Sequence, residues 1–131
     1  MSGTAGSSSF AFAEMLGLRL GEDRESPEGR DSIVRLDADE QHLNIAGTVH
    51  GGVIASMIDT AMGRAVRAVT EESTATSQLT VTFLDPAKPG PLVATARVTK
   101  RGSMLTIVEA EVEQDEKAIA HALATFALLK K

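Results

Sequence analysis

The chain has 131 residues, 43% of them hydrophobic, and a net charge of −5, which suits one domain built on a single core. It lacks cysteine, which excludes disulfides, thiolate metal ligands and a cysteine nucleophile. No lysine- or arginine-rich block is present and the only aromatics are four Phe, so nucleic acid is not an expected partner. No apolar run reaches membrane-spanning length, so no membrane partner is expected either.

Residues 1–8 are small and polar without a basic leader, and are expected to be a disordered lead-in. Residues 9–131 are expected to form one domain, with a cytoplasmic location as the default. Ser9 to Leu16 reads as a short helix, with Phe10, Phe12, Met15 and Leu16 as its apolar contacts. Gly17 to Glu22 is a candidate first strand, and Asp23 to Asp31, with Ser26-Pro27 and Gly29, reads as a turn. Ser32 to Ala38 alternates weakly as a second strand.

Asp39 to Val49 is a loop. From Gly52 to Val69, apolar residues recur at three- and four-residue steps, which predicts a helix with a broad apolar face. After a polar turn at Thr70 to Ala75 the period changes to two. Alternating segments then run to Phe83, from Leu92 to Thr99, from Ile107 to Glu113 and from Ala118 to Leu129, where Ile119, Leu123, Phe126 and Leu128 complete the pattern. Short turns join them, which favours an antiparallel meander. The prediction is α+β: a curved antiparallel sheet of five to six strands wrapped around one long helix.

That helix carries a single acid before Arg64, namely Asp59. A carboxylate on an apolar helix is costly unless compensated. Arg64 and Arg67 are not three or four residues away, so neither is its helical neighbour, and Ser56 is the best partner inside the helix. Asp59 is therefore paired from elsewhere or kept for chemistry. Gly51 and Gly52 lie where the helix begins, and four backbone N–H groups at such an end lack helical partners. Those donors and the helix dipole favour an oxyanion, whereas the alternative for the glycines is a tight turn. His42, His50 and His121 do not share a zinc-binding spacing, so no metal site is expected.

Asn44, Gly47, His50, Gly51, Gly52 and Asp59 form N-x-x-G-x-x-H-G-G followed by an acid. This pattern, with LTVTFLDPAKPG from Leu79 to Gly90, resembles the hotdog-fold thioesterases of the phenylacetic-acid-degradation type. The resemblance covers Arg30 to Leu129 and implies an acyl-CoA thioesterase that yields a free acid and coenzyme A. It implies that the Gly51 N–H polarises the thioester carbonyl. It also implies that Asp59 activates water or acts as the nucleophile, and that Asn44 orients water or thioester. Asn44 also fits a plain turn role. His50 is expected to support the loop and the thioester rather than act as the base. A hydroxyl after the helix assists the acid in this family. Thr76 and Ser77 are the candidates, and alternation allows only one of them, with Thr76 preferred.

No metal or redox cofactor is implied, since coenzyme A enters as part of the substrate. Gly52, Met57, Met62 and Phe83 are candidates for contact with the acyl thioester. Lys88, Arg97 and Arg101 are candidates for the anionic nucleotide end, with solvated strand-end charges as the alternative. Phenylacetyl or hydroxyphenylacetyl groups are the leading acyl suggestion, and medium-chain acyl groups come second.

Gly51 and Asp59 are eight residues apart on one helix, hence about 12 Å apart along its axis. Two groups acting on one carbonyl must both lie within hydrogen-bond reach of it. The spacing therefore predicts a shared site, with Gly51 from one subunit and Asp59 from the other, twice per dimer. The resemblance adds that a tetramer is common. A hotdog hydratase or dehydratase and a non-catalytic acyl-CoA-binding protein are the competing functions.

Overall fold

A computed structural model of the chain describes residues 11–27 and 29–129. The elements, in order, are α1 (Ala11–Leu16), β1 (Arg19–Ser26), β2 (Gly29–Ala38), a 3-10 turn (Glu40–His42), α2 (Gly51–Arg67), β3 (Thr74–Phe83), β4 (Gly90–Arg101), β5 (Leu105–Gln114) and β6 (Lys117–Leu128). The six strands form one sheet in the order β1-β2-β4-β5-β6-β3, and every neighbouring pair is antiparallel. The α+β hotdog arrangement expected from the sequence is present. Its strand count is six.

The sheet curves around α2 because the facing side chains are small. Ala94, Ala96, Ala110, Ala120, Ala122 and Ala124 are buried on β4, β5 and β6, and Ala61 and Ala65 are buried on the helix. Larger helix residues, Ile54, Met57, Ile58, Met62 and Val66, fill the space between. Full burial of each such side chain stabilises the fold by about 1.5–3 kcal/mol. Met57 and Met62 have no exposed surface, so neither offers an atom to a ligand.

Three expectations are corrected. The segment expected as a turn over Asp23 to Asp31 is the end of β1, a tight connection at Pro27 and the start of β2. Five of the eight β1 residues are charged, which hid the strand, because β1 is a sheet edge and needs no apolar alternation. A bulge between Gly21 and Arg24, with Glu22 at φ 56°, also breaks its period. The second correction concerns Leu123, which is 48% exposed and faces outward beside Glu109 and Thr80, because the even-numbered residues of β6 point to the helix. Finally, Phe12 and Met15 of α1 are exposed, and the buried residue of that helix is Ala13. The expected lead-in over residues 1–8, and Phe10, lie outside the described residues.

Candidate active site

The loop before α2 is closed by its own side chain. Asn44 Oδ1 accepts hydrogen bonds from Ala46 N at 3.0 Å and Thr48 N at 3.1 Å, while its Nδ2 donates to Thr48 Oγ1 at 3.0 Å. The backbone adds Asn44 N to Thr48 O at 2.8 Å, and Gly47 occupies the left-handed region at φ 86°. Asn44 thus spends its amide on the turn. Val49 N then donates to Ala87 O at 2.9 Å and His50 N to His42 O at 2.8 Å, which fixes the angle at which the chain enters α2.

His50 is the N-cap. Its Nδ1 accepts from Gly52 N at 2.8 Å, and its carbonyl accepts from Val53 N at 2.9 Å and Ile54 N at 3.3 Å. Because Nδ1 is an acceptor, the ring proton is assigned to Nε2. Three of the four N-terminal donors are therefore used, and Gly51 N has no partner among the described residues. The double glycine now has two separate reasons. A Cβ at Gly52 would stand 3.1 Å from His50 Nδ1 and disturb the cap, whereas a Cβ at Gly51 would stand 3.3 Å from Phe83 Cζ. Phe83, half exposed at the end of β3, thus covers the glycine whose N–H is free.

Asp59 lies two turns further along α2 and is half-buried rather than enclosed by apolar groups. Thr76 Oγ1 on β3 donates to Asp59 Oδ1 at 2.7 Å. Ser77 turns the other way, with its Oγ 2.7 Å from Thr125 Oγ1 and 3.1 Å from Thr125 O. A bulge between Thr76 and Gln78 marks this point of β3. Ser56 donates to Gly52 O at 2.8 Å and gives Asp59 nothing. Arg64 pairs with Asp23 of β1 at 2.7 Å, and Asp23 also accepts from Ile33 N at 3.0 Å. Arg64 and Arg67 both line the cleft that holds Asp59, and among the described residues neither is in an ion pair with it.

Asp59 and Thr76 line one cleft, together with Thr60, Gly63, Arg64, Arg67 and Phe12. Gly51 and Phe83 line another, together with Asp85, Pro86 and Ala87. One chain thus holds the free donor and the acid in two different depressions, as their spacing along the helix requires.

The remaining candidates separate clearly. Gly52 has committed its N–H to the cap. Lys88 follows the turn beside Gly51, and its backbone is tied to Gln114 by bonds of 2.9 Å and 2.7 Å, with its side chain in no ion pair among the described residues. Arg101 is exposed at the end of β4. Arg97 pairs with Asp31 at 3.3 Å. His121 faces outward beside Glu111 on the far side of the sheet. Sequence reasoning missed the contribution of Asp23, whose partner Arg64 is 41 residues away. It also missed Phe12 and Arg67 in the Asp59 cleft, for which no local pattern exists. Among the described residues no group of acids and histidines is arranged to hold a metal, and no helix is long and apolar enough to cross a membrane.

Residues 46–120 match the model of the thioesterase superfamily. A protein of Saccharolobus solfataricus named as an esterase is 31% identical over 101 residues, covering 76% of this chain and 72% of the relative. Mouse acyl-coenzyme A thioesterase 13 is 30% identical over 82 residues, 61% of this chain and 59% of that protein. Among solved structures, a phenylacetic acid degradation-related protein of Ralstonia eutropha JMP134 superposes with a TM-score of 0.81 at 32% identity, covering 90% of this chain and 89% of the other. On its sequence match, its six-stranded wrap and the placement of its loop-to-helix motif, the chain belongs to the thioesterase superfamily.

Proposed function

We propose that this thioester hydrolase cleaves acyl-CoA in sites shared between two subunits. The observation that carries the reading is the division of labour along α2: one free N–H at Gly51, and one threonine-held carboxylate at Asp59 in a separate cleft. The Gly51 N–H of one subunit donates to the thioester carbonyl and to the oxyanion that forms from it. Asp59 of the other subunit takes a proton from water. Its Oδ1 is held by Thr76, which leaves Oδ2 to act. The new C–O bond forms, the C–S bond breaks, and the thiolate of coenzyme A leaves with the proton that Asp59 accepted. Lys88, near the Gly51 turn, suits the phosphates of the nucleotide. An arylacetyl group is the first candidate for the acyl part.

Dimerisation has a natural edge. β3 ends the sheet with ten residues, no charge and no proline, whereas the opposite edge, β1, is charged and bulged. An uncharged edge strand is a template for pairing with a second chain. Two β3 strands meeting about a two-fold axis would bring Thr76 and Asp59 of each subunit to the seam. The hydratase reading, which needs a histidine base, lacks support because His50 Nδ1 is committed to Gly52 and Nε2 carries the proton.

The test is thiol release over a panel of acyl-CoAs, with Asp59→Asn alongside. Turnover by the native chain and a loss of 10²-fold or more in kcat for Asp59→Asn are expected. Mixing Asp59→Ala with Gly51→Val chains should restore partial activity, because each mixed dimer holds one intact site. Full activity of Asp59→Asn would sink the mechanism.

A further inference from the structure

The Asp59 cleft is open to solvent and measures about 280 Å³, near the lower end for a ligand pocket. Residues of α2, with Arg64 and Arg67 beside Asp59, and of β3 line it, and Phe12 and Ala13 of α1 add a further wall, with Leu20 and Phe126. The wall belongs to a helix of six residues, which has no stability of its own. Something must hold it in place. Gly17, at φ 83°, turns the chain and its N–H donates to Glu14 O at 3.0 Å, while Leu18 N donates to Ala13 O at 2.9 Å. These bonds close the helix on itself but do not attach it to the site.

His42 makes the attachment. Its Nε2 lies 2.7 Å from Leu16 O, the last residue of α1, and its side chain is only 4% exposed. Its Nδ1 accepts from Asp39 N at 3.0 Å, which places the ring proton on Nε2 and makes that nitrogen the donor to Leu16 O. The carbonyl of His42 accepts the N–H of His50, the cap of α2, at 2.8 Å. One buried residue therefore joins the end of α1 to the start of the catalytic helix.

We propose that Phe12 is a specificity-determining wall of the acyl pocket, and that His42 is the positioning residue that holds this wall against the Asp59 cleft. This rests on the hydrolase reading, in which the acyl group lies beside Asp59. An aryl or short alkyl group packs against the Phe12 ring, and loss of that contact weakens binding of bulky acyl groups more than of small ones. His42 reaches the cleft through its bond to Leu16 O of α1, so its removal should shift the same substrate ratio as removal of the ring.

The test measures kcat and KM of the full chain for phenylacetyl-, hexanoyl- and butyryl-CoA by thiol release. The variants are Phe12→Ala, His42→Leu, His42→Gln and the double variant Phe12→Ala/His42→Leu. Phe12→Ala should lower the kcat/KM ratio of phenylacetyl- or hexanoyl-CoA to butyryl-CoA about tenfold, mainly through KM. His42→Leu should lower it similarly, and the double variant should add little, since both act on one contact. His42→Gln, whose amide can still donate to Leu16 O, should recover most of the ratio. An unchanged ratio in Phe12→Ala overturns the wall, and this variant serves even if His42→Leu does not fold, because Phe12 is exposed. Equal losses for all substrates in His42→Leu, or additive losses in the double variant, overturn the positioning role. A native chain inert on every thioester overturns the hydrolase reading and this inference with it, whereas native turnover with an unmoved ratio overturns this inference alone.

Discussion

Thr76 Oγ1 donates to Asp59 Oδ1 at 2.7 Å, and this bond joins the edge strand to the acid of the central helix. It fixes one carboxylate oxygen and thereby aims the other. Replacing Thr76 by Ala should leave Asp59 free to rotate and lower kcat about 10–100-fold, in line with the cost of a misplaced catalytic group. Thr76→Ser keeps the hydroxyl and should stay within a few-fold of native. Ser77→Ala should do little, since that hydroxyl serves Thr125. Steady-state kinetics on the three variants check the assignment, and a Ser77→Ala defect as deep as that of Thr76→Ala would reverse it.

The two glycines of the motif should fail in different ways. At Gly51 an added Cβ meets only the far end of the Phe83 ring, 3.3 Å away, which can yield. Gly51→Ala should therefore keep its melting temperature close to native while kcat falls at least tenfold, because the methyl group crowds the carbonyl at the free N–H. At Gly52 the Cβ meets His50 Nδ1 at 3.1 Å and displaces the cap. Loss of an N-cap costs about 1 kcal/mol, or roughly 3–5 °C for a chain of this size. Thermal melts and kcat on both variants separate the roles.

Much of this was legible in the sequence, and the limits have physical causes. The helix from Gly51 and the strands β2, β4, β5 and β6 each bury one face, and β3 half-buries Leu79 and Val81, so a period of 3.6 or 2 marks them. β1 has no such face. Its charges belong to a sheet edge and to the Asp23–Arg64 pair, which joins residues 41 positions apart. Spacing correctly removed Arg64 as a helical partner of Asp59, yet nothing local names Asp23 in its place. The choice between Thr76 and Ser77 turns on a bulge, and a bulge is set by how β6 pairs, not by β3 alone. Met62 is among the apolar candidates for the acyl pocket, but it sits on the inward side of the helix.

Asn44 is the residue whose expected role shifts most. Its carbonyl oxygen and amide nitrogen are both bonded within residues 44–48, so its first task is to close the loop that delivers His50. Asn44→Ala removes bonds worth about 1–2 kcal/mol together and should lower the melting temperature by several degrees. Its kcat should fall less than that of Asp59→Asn. Asn44→Asp keeps the acceptor for Ala46 N and Thr48 N, and should melt between the two. A hundredfold loss of kcat at native stability would instead return Asn44 to direct work on the substrate.

The edge of β3 supplies the last prediction. Gln78 and Thr80 are exposed on an uncharged strand that has a neighbour on one side only, β6. If two such edges meet about a two-fold axis near these residues, Gln78 and Thr80 of one chain come close to those of the other. Lysine at both positions would then set like charges against one another, the device by which natural edge strands avoid pairing. Gln78→Lys/Thr80→Lys should therefore sediment as a monomer at concentrations where the proposed shared site requires the native chain to be a dimer. Its circular dichroism should remain native, because neither side chain is part of the core. Its thioesterase activity should fall with the dimer, since Gly51 and Asp59 of one chain cannot reach a common carbonyl. A folded, fully active monomer would refute the shared site, and with it the reason for which one helix carries half a site at each of two depressions.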